Sequence, residues 1–210
     1  MIVDVGGETI QITVLELLSD GDFRELYAEC DVGMGGNKVD EAYEAFLTEI
    51  FGADVIREFK KNNQEDYKVM RRQFESMKMS LNLHQIYETE NVSFRISGSF
   101  CDIVKESVKG SIALSKYQNE FVLTCGKAKI KSCVLKRFFE IPLRCIFDNM
   151  KAVFAEPQVS GCSTILMVGG FSRSPILQEY IQRQFPDKNI IIPQEADIAV
   201  IKGAVIFGHT

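Results

Sequence analysis

The sequence predicts an α/β fold in which three antiparallel strands are extended by parallel strands with flanking helices, and into which an α+β segment is inserted. Three observations carry this. The N-terminal segment alternates apolar and polar residues between turn signals. Tyr67, Met70, Phe74, Met77 and Leu81 step by three and four, the helical period. Near the C-terminus an apolar run, Thr164 to Val168, meets Gly169-Gly170 and then Ser174-Pro175, a strand passing into a helix start.

Element by element, Ile2 to Val5 is β-branched and apolar, and reads as a strand. Gly6-Gly7-Glu8 is a turn, and Thr9 to Leu15 places Ile10, Ile12 and Val14 on one face. Ser19-Asp20-Gly21-Asp22 is a second turn, and Phe23 to Cys30 a third strand, which makes an antiparallel meander. After Gly33-Met34-Gly35-Gly36, Asn37 is placed to cap a helix, with Asp40 as the distal member of a capping box. Val39, Tyr43, Phe46 and Ile50 form its apolar stripe, and Gly52 ends it. A second helix is expected over Asp54 to Lys60, and the third follows through Leu81.

Residues 84 to 130 predict a small sheet, from the alternation of Val92, Phe94 and Ile96 and of Phe121 and Leu123. Ile103, Val104, Val108 and Ile112 fit either period. Lys131 to Glu156 reads as a helix that Pro142 should kink or restart. A helix opening at Ser174-Pro175, a short strand from Asn189 to Ile192 and a small-residue helix from Glu195 to Phe207 close the chain.

Composition narrows the function classes. The 210 residues carry 24 basic and 29 acidic side chains, a net charge of −5, which argues against a nucleic-acid partner. No apolar run reaches the roughly 18 residues of a membrane span, and the N-terminal residues lack the basic flank and apolar core of a signal peptide. The six cysteines lack CxxC spacing and read as free thiols in a reducing, cytoplasmic setting. His84 and His209 are too few for a zinc site or a serine–histidine triad, and Gly170-Phe171-Ser172-Arg173-Ser174 lacks the last glycine of a nucleophile elbow.

The residues left to carry chemistry are glycine pairs. Gly6-Gly7, Gly35-Gly36 and Gly169-Gly170 each follow a strand, and the latter two precede helix starts, where N–H groups and a partial positive charge suit phosphate. Any one pair alone is an ordinary tight turn. Three so placed point to a nucleotide, although neither the GxxxxGK[ST] pattern nor a dinucleotide fingerprint is present. Asp4, against the first pair, either holds Mg²⁺ through its waters or caps the turn. Glu75, Lys78 and Asn82 share a stripe of the third helix, suited to a ribose and base or simply to solvent.

Asp4-Val5-Gly6-Gly7-Glu8-Thr9-Ile10-Gln11 resembles the second phosphate loop, DxGGGTxD, of the actin and heat-shock 70 kDa ATPase superfamily. Gly35-Gly36-Asn37-Lys38-Val39-Asp40 resembles its GGEDFD, Phe74-Glu75-Ser76-Met77-Lys78 its CERAK, and Val168 to Pro175 its VGGSTRIP. Ala199 to Val205 is similar to its closing AVAYGAAV helix, and the variant spellings look closest to the divergent heat-shock 70 kDa protein 12 branch.

The resemblance implies the second, ribonuclease H-like lobe of an actin-like ATPase. Residues 1–52 and 131–210 would form its IIA-like core and residues 53–130 its IIB-like insertion. It further implies ATP or ADP with Mg²⁺ as ligand, Asp4 and Thr9 as catalytic positions, and Asp4 near the metal through water. Gly6, Gly7, Gly35 and Gly36 would face phosphate or ribose; Glu75, Lys78 and Asn82 would hold ribose and adenine. Gly169, Gly170 and Arg173 would form the opposite wall, and Asp197 would face the nucleotide. The partners implied are the missing first lobe of the same protein, clients and co-chaperones.

Glu8 and Gln11 replace a glycine and an aspartate of the phosphate loop, Met79 an arginine and Phe171 a serine, which touches hydrolysis more than binding. A half cleft does not enclose a phosphoryl-transfer site, so no turnover is expected of this chain alone. The rival readings are a degenerate, non-catalytic nucleotide-sensing or protein-interaction module and a sugar-kinase-type phosphotransferase lobe.

Overall fold

The computed structural model describes residues 1–87, 89–107, 117–124 and 126–209. In chain order its strands and helices are β1 (Ile2–Val5), β2 (Thr9–Leu17), β3 (Phe23–Val32), α1 (Asn37–Phe51), α2 (Ala53–Asn62), α3 (Gln64–Lys78), α4 (Leu83–Tyr87), β4 (Asn91–Arg95), α5 (Gly98–Ser107), β5 (Phe121–Thr124), β6 (Lys127–Lys131), α6 (Ser132–Phe154), β7 (Thr164–Val168), α7 (Pro175–Gln184), β8 (Asn189–Ile191) and α8 (Ala199–Gly208). They divide into one unit of Met1–Lys38 with Glu140–Thr210 and a second of Val39–Phe139, a division that falls inside α1 and α6.

The first unit is built on a five-stranded sheet of order β3-β2-β1-β7-β8. β1 pairs antiparallel with β2 and β2 with β3, so the expected meander is present. β1 also pairs in parallel with β7, and β7 with β8, the two strands joined through α7 as a crossover helix. Val3, Val5, Ile10, Ile12 and Val14 are all at most 2% exposed, which is why their alternation was readable. Phe147 and Phe154 of α6 pack on Phe185 at 5.6 and 5.3 Å between ring centres. α8 buries none of its side chains, and Ile201 and Ile206 are 64% and 68% exposed.

The second unit packs α1, α2, α3 and α5 with a three-stranded sheet of order β4-β6-β5. Its core is aromatic: Phe46 meets Phe138 at 5.5 Å, and Phe100 meets Phe51 at 4.9 Å and Phe59 at 4.8 Å. Tyr43 and Phe74 stack at 3.9 Å, holding α1 to α3.

Four local expectations change. Ile103 and Val104 lie in α5 and take the helical period; Val108 and Ile112 lie outside the described residues. α6 runs without interruption through Pro142, so the carbonyl of Phe138 forgoes its helical donor. α3 ends at Lys78, leaving Leu81 buried in the turn beyond it. The closing helix begins at Ala199 rather than Glu195 because the Ala196 carbonyl accepts the amide of Gly169, which holds that stretch as a turn. Cys30, Cys101, Cys133, Cys145 and Cys162 are free, and Cys125 lies outside the described residues.

Candidate functional site

The three glycine turns meet within the first unit. The Gly36 amide donates to Gly6 O at 3.0 Å and the Asn37 amide to Gly7 O at 2.7 Å, so the β1–β2 turn sits on the start of α1. A methyl group on Gly35 would lie 2.5 Å from Gly6 O, and one on Gly36 2.9 Å from the ring of Phe171. Gly169 has φ +90, and a methyl group there would meet Val5 O at 2.6 Å as well as the Asp4 carboxylate. Only glycine meets both demands. Glycine at these positions is therefore what lets the three reversals touch.

This corrects one expectation. The first amides of α1 do not stand open toward a ligand, because the carbonyls of Gly6 and Gly7 occupy those of Gly36 and Asn37. The open donors lie one turn earlier. Among the described residues, the amides of the exposed residues Gly7 and Glu8 have no acceptor, while Gly6 N–H closes the turn on Thr9 O at 2.9 Å. The Glu8 side chain is exposed. Asp4 stands at the base of this turn, and burial pushes its carboxyl above the usual carboxylate range. Arg173 donates to Asp197 at 2.8 Å, joining two site candidates across the turn after β7 and the turn before α8. Gly170 is exposed beside them.

The remaining candidates lie in the second unit. Lys78 is 3% exposed and donates to both oxygens of Asp40 at 3.0 and 2.9 Å, and it pairs with Glu75. Asp40 therefore does not close a capping box; its carboxylate turns to α3 instead. Burial raises the Asp40 pKa, against the opposing pull of Lys78. Asn82 is committed to α4: its side chain accepts the Gln85 amide at 2.8 Å while its own amide donates to the Gln85 side chain.

Sequence reading missed the surroundings of this pair. Asp40, Tyr43, Arg71, Arg72, Phe74 and Glu75 line a cleft of about 280 Å³. Among the described residues the Tyr43 hydroxyl, buried there, has no hydrogen-bond partner, and burial raises its pKa. Glu44 accepts Lys60 at 2.9 Å and the Tyr67 hydroxyl; these bonds outweigh burial and hold its pKa low. The place of Tyr43 on the apolar stripe of α1 was the available signal, but it does not say which element that stripe faces. Among the described residues no cluster of metal-binding side chains occurs, and no helix is long and apolar enough to cross a membrane.

The sequence matches the family described as Hsp70 protein over residues 1–210. The chain belongs to the Hsp70 family. It is similar to Heat shock 70 kDa protein 12A of Mus musculus, 32% identical over 99% of this chain and 31% of that protein. Heat shock 70 kDa protein 12B of Homo sapiens is 27% identical over 100% of the chain and 31% of its own length. Chaperone protein DnaK of Picrophilus torridus is 24% identical, with the same 31% covered. This Hsp70-family chain thus spans about a third of those relatives, and its mixed five-stranded sheet is that of an actin-like ATPase lobe.

Proposed function

We propose that the chain forms one half of the ATP-binding cleft of an atypical Hsp70-type chaperone ATPase, and does not turn over ATP by itself. The observation that carries this is the amides of the exposed residues Gly7 and Glu8, open and seated on two further glycine turns with Asp4 beneath them. Backbone amides without acceptors, fixed on a rigid support, form a concave donor set for phosphate oxygens. Gly6, Gly7 and Thr9 would face the β- and γ-phosphates. Asp4 fits a role toward Mg²⁺: it is a carboxylate at the foot of the turn, suited to accept hydrogen bonds from the metal's waters. When bound, Mg²⁺ would neutralise phosphate charge.

In this reading Glu75 and Lys78 hold the ribose and adenine, with Asp40 fixing the Lys78 ammonium. Gly169, Gly170 and Arg173 are the further nucleotide contacts that the resemblance implies, with Asp197 orienting Arg173. Gly35 and Gly36 support the first turn rather than donate to phosphate. Asn82, with its side chain and its amide both committed to Gln85, is left out of this reading. A first lobe, clients and co-chaperones are the partners the reading requires, in the cytoplasm.

Calorimetric titration of the chain with Mg-ADP and Mg-ATP tests this. Weak binding, lost in Gly7→Pro, which removes one open amide, is expected. Sub-micromolar binding by this chain alone contradicts the half-cleft proposal, and weak binding that survives Gly7→Pro removes the turn from it.

Glu8 favours a second reading, a degenerate nucleotide-sensing or interaction module, because it adds negative charge where phosphate would lie. Glu8→Gly with Gln11→Asp in the full-length protein separates the two. If the unaltered protein hydrolyses ATP at a rate these changes do not raise, the degenerate reading fails. Membership in the Hsp70 family leaves the sugar-kinase alternative without a supporting observation.

A further inference from the structure

The three-stranded sheet of the second unit has one apolar face and one basic face. Ala128 and Ile130 of β6 are fully buried, while the alternate residues Lys127 and Lys129 are exposed and Lys131 half-buried. Lys127 lies directly opposite Arg95 of β4, and Lys129 opposite Ser93, both of these β4 residues being exposed. On the other side Lys127 faces Thr124 and Lys129 faces Val122 of β5, the latter 53% exposed. Among the described residues none of Arg95, Lys127, Lys129 or Lys131 has an ion pair. Of the acids that flank the strands, Glu120 is taken by Arg137 at 3.5 Å, and Glu90 precedes β4.

Folding alone does not call for this arrangement. Like charges placed directly opposite each other on a sheet destabilise it, and a chain of net charge −5 has acids to spare. We propose that this face is a docking surface for an acidic protein segment bound in extended form, with carboxylates at alternate positions. The spacing carries the choice. Side chains two apart on a strand are separated by about 6.6 Å, and an extended peptide presents its own alternate side chains at the same interval. Lys127, Lys129 and Lys131 therefore span about 13 Å and match three alternating acids.

A single-stranded nucleic acid fits less well. The exposed face of Asn91, Ser93, Arg95, Lys127, Lys129 and Val122 offers no aromatic ring for base stacking. A long polyanion would also run from the patch onto a chain of net negative charge.

Fluorescence anisotropy on this chain tests the proposal with three labelled probes. These are a short peptide with glutamate at alternate positions, a peptide of the same composition with its glutamates contiguous, and a thymidine oligonucleotide. The alternating peptide is expected to bind most tightly, and to bind less tightly as salt is added. Lys127→Glu with Lys129→Glu is expected to weaken it about tenfold or more, and Lys127→Gln with Lys129→Gln by less. Both variants relieve the like-charge opposition with Arg95, and circular dichroism checks that they fold. Absence of saturable binding, equal binding of the two peptides, tighter binding of the oligonucleotide, or an unchanged affinity in the folded variants overturns it.

Discussion

Lys78 shows what a buried cation demands of its neighbours. It is 3% exposed, and Asp40 and Glu75 supply the carboxylates that pair with it there. Removing one partner of such a pair strands the other, so Lys78→Met is expected to cost about 3–5 kcal/mol in urea unfolding. Adding Asp40→Leu should recover much of that loss. Asp4 sets the opposite condition. Its folded pKa is raised from the ordinary 3.8, so the native state holds the proton more tightly than the unfolded chain. Stability is then greatest below that value and falls as pH rises through the folded pKa. Asp4→Asn should match the unaltered chain in melting temperature at low pH and exceed it above this window. The candidate residues themselves were legible because glycine pairs and charged triplets stand out in a sequence. Their partners were not, since nothing in the order of residues says that Asp40 turns to a lysine on another helix.

At the level of elements, the turns gain their form from one another. Gly36 carries the ring of Phe171 at a distance that leaves no room for a methyl group. Gly36→Ala is expected to destabilise the chain by about 1–3 kcal/mol, the usual cost of overpacking. Phe171→Leu in the same chain should return part of it, and a double-mutant cycle by thermal denaturation measures the coupling. Strands with one buried face were readable from their period of two, as β2 shows. α5 was not, because Ile103 and Val104 satisfy both periods and only packing decides between them. The continuous α6 likewise overrides the local preference of Pro142, since apolar residues on both sides, Phe139 and Ile146 among them, are held in the core.

Across the whole molecule, two units of different character share one chain. The first rests on a mixed sheet whose buried strand residues are aliphatic, the second on a cluster of aromatic rings. The order of strands and helices announced an α/β architecture. It did not disclose the open amides at Gly7 and Glu8, which depend on where distant carbonyls end up. One feature of the first unit bears on how the molecule behaves in the laboratory. α8 presents Val200, Ile201, Val205 and Ile206 to water while the rest of its unit is folded. Environment-sensitive dyes such as anilinonaphthalene sulfonate should therefore light up on the native chain at room temperature, before any heating. Replacing Ile201 and Ile206 with glutamine should darken that starting signal and leave circular dichroism unaltered. A bright baseline in a dye-based melt would then report a greasy helix and not a loosened core.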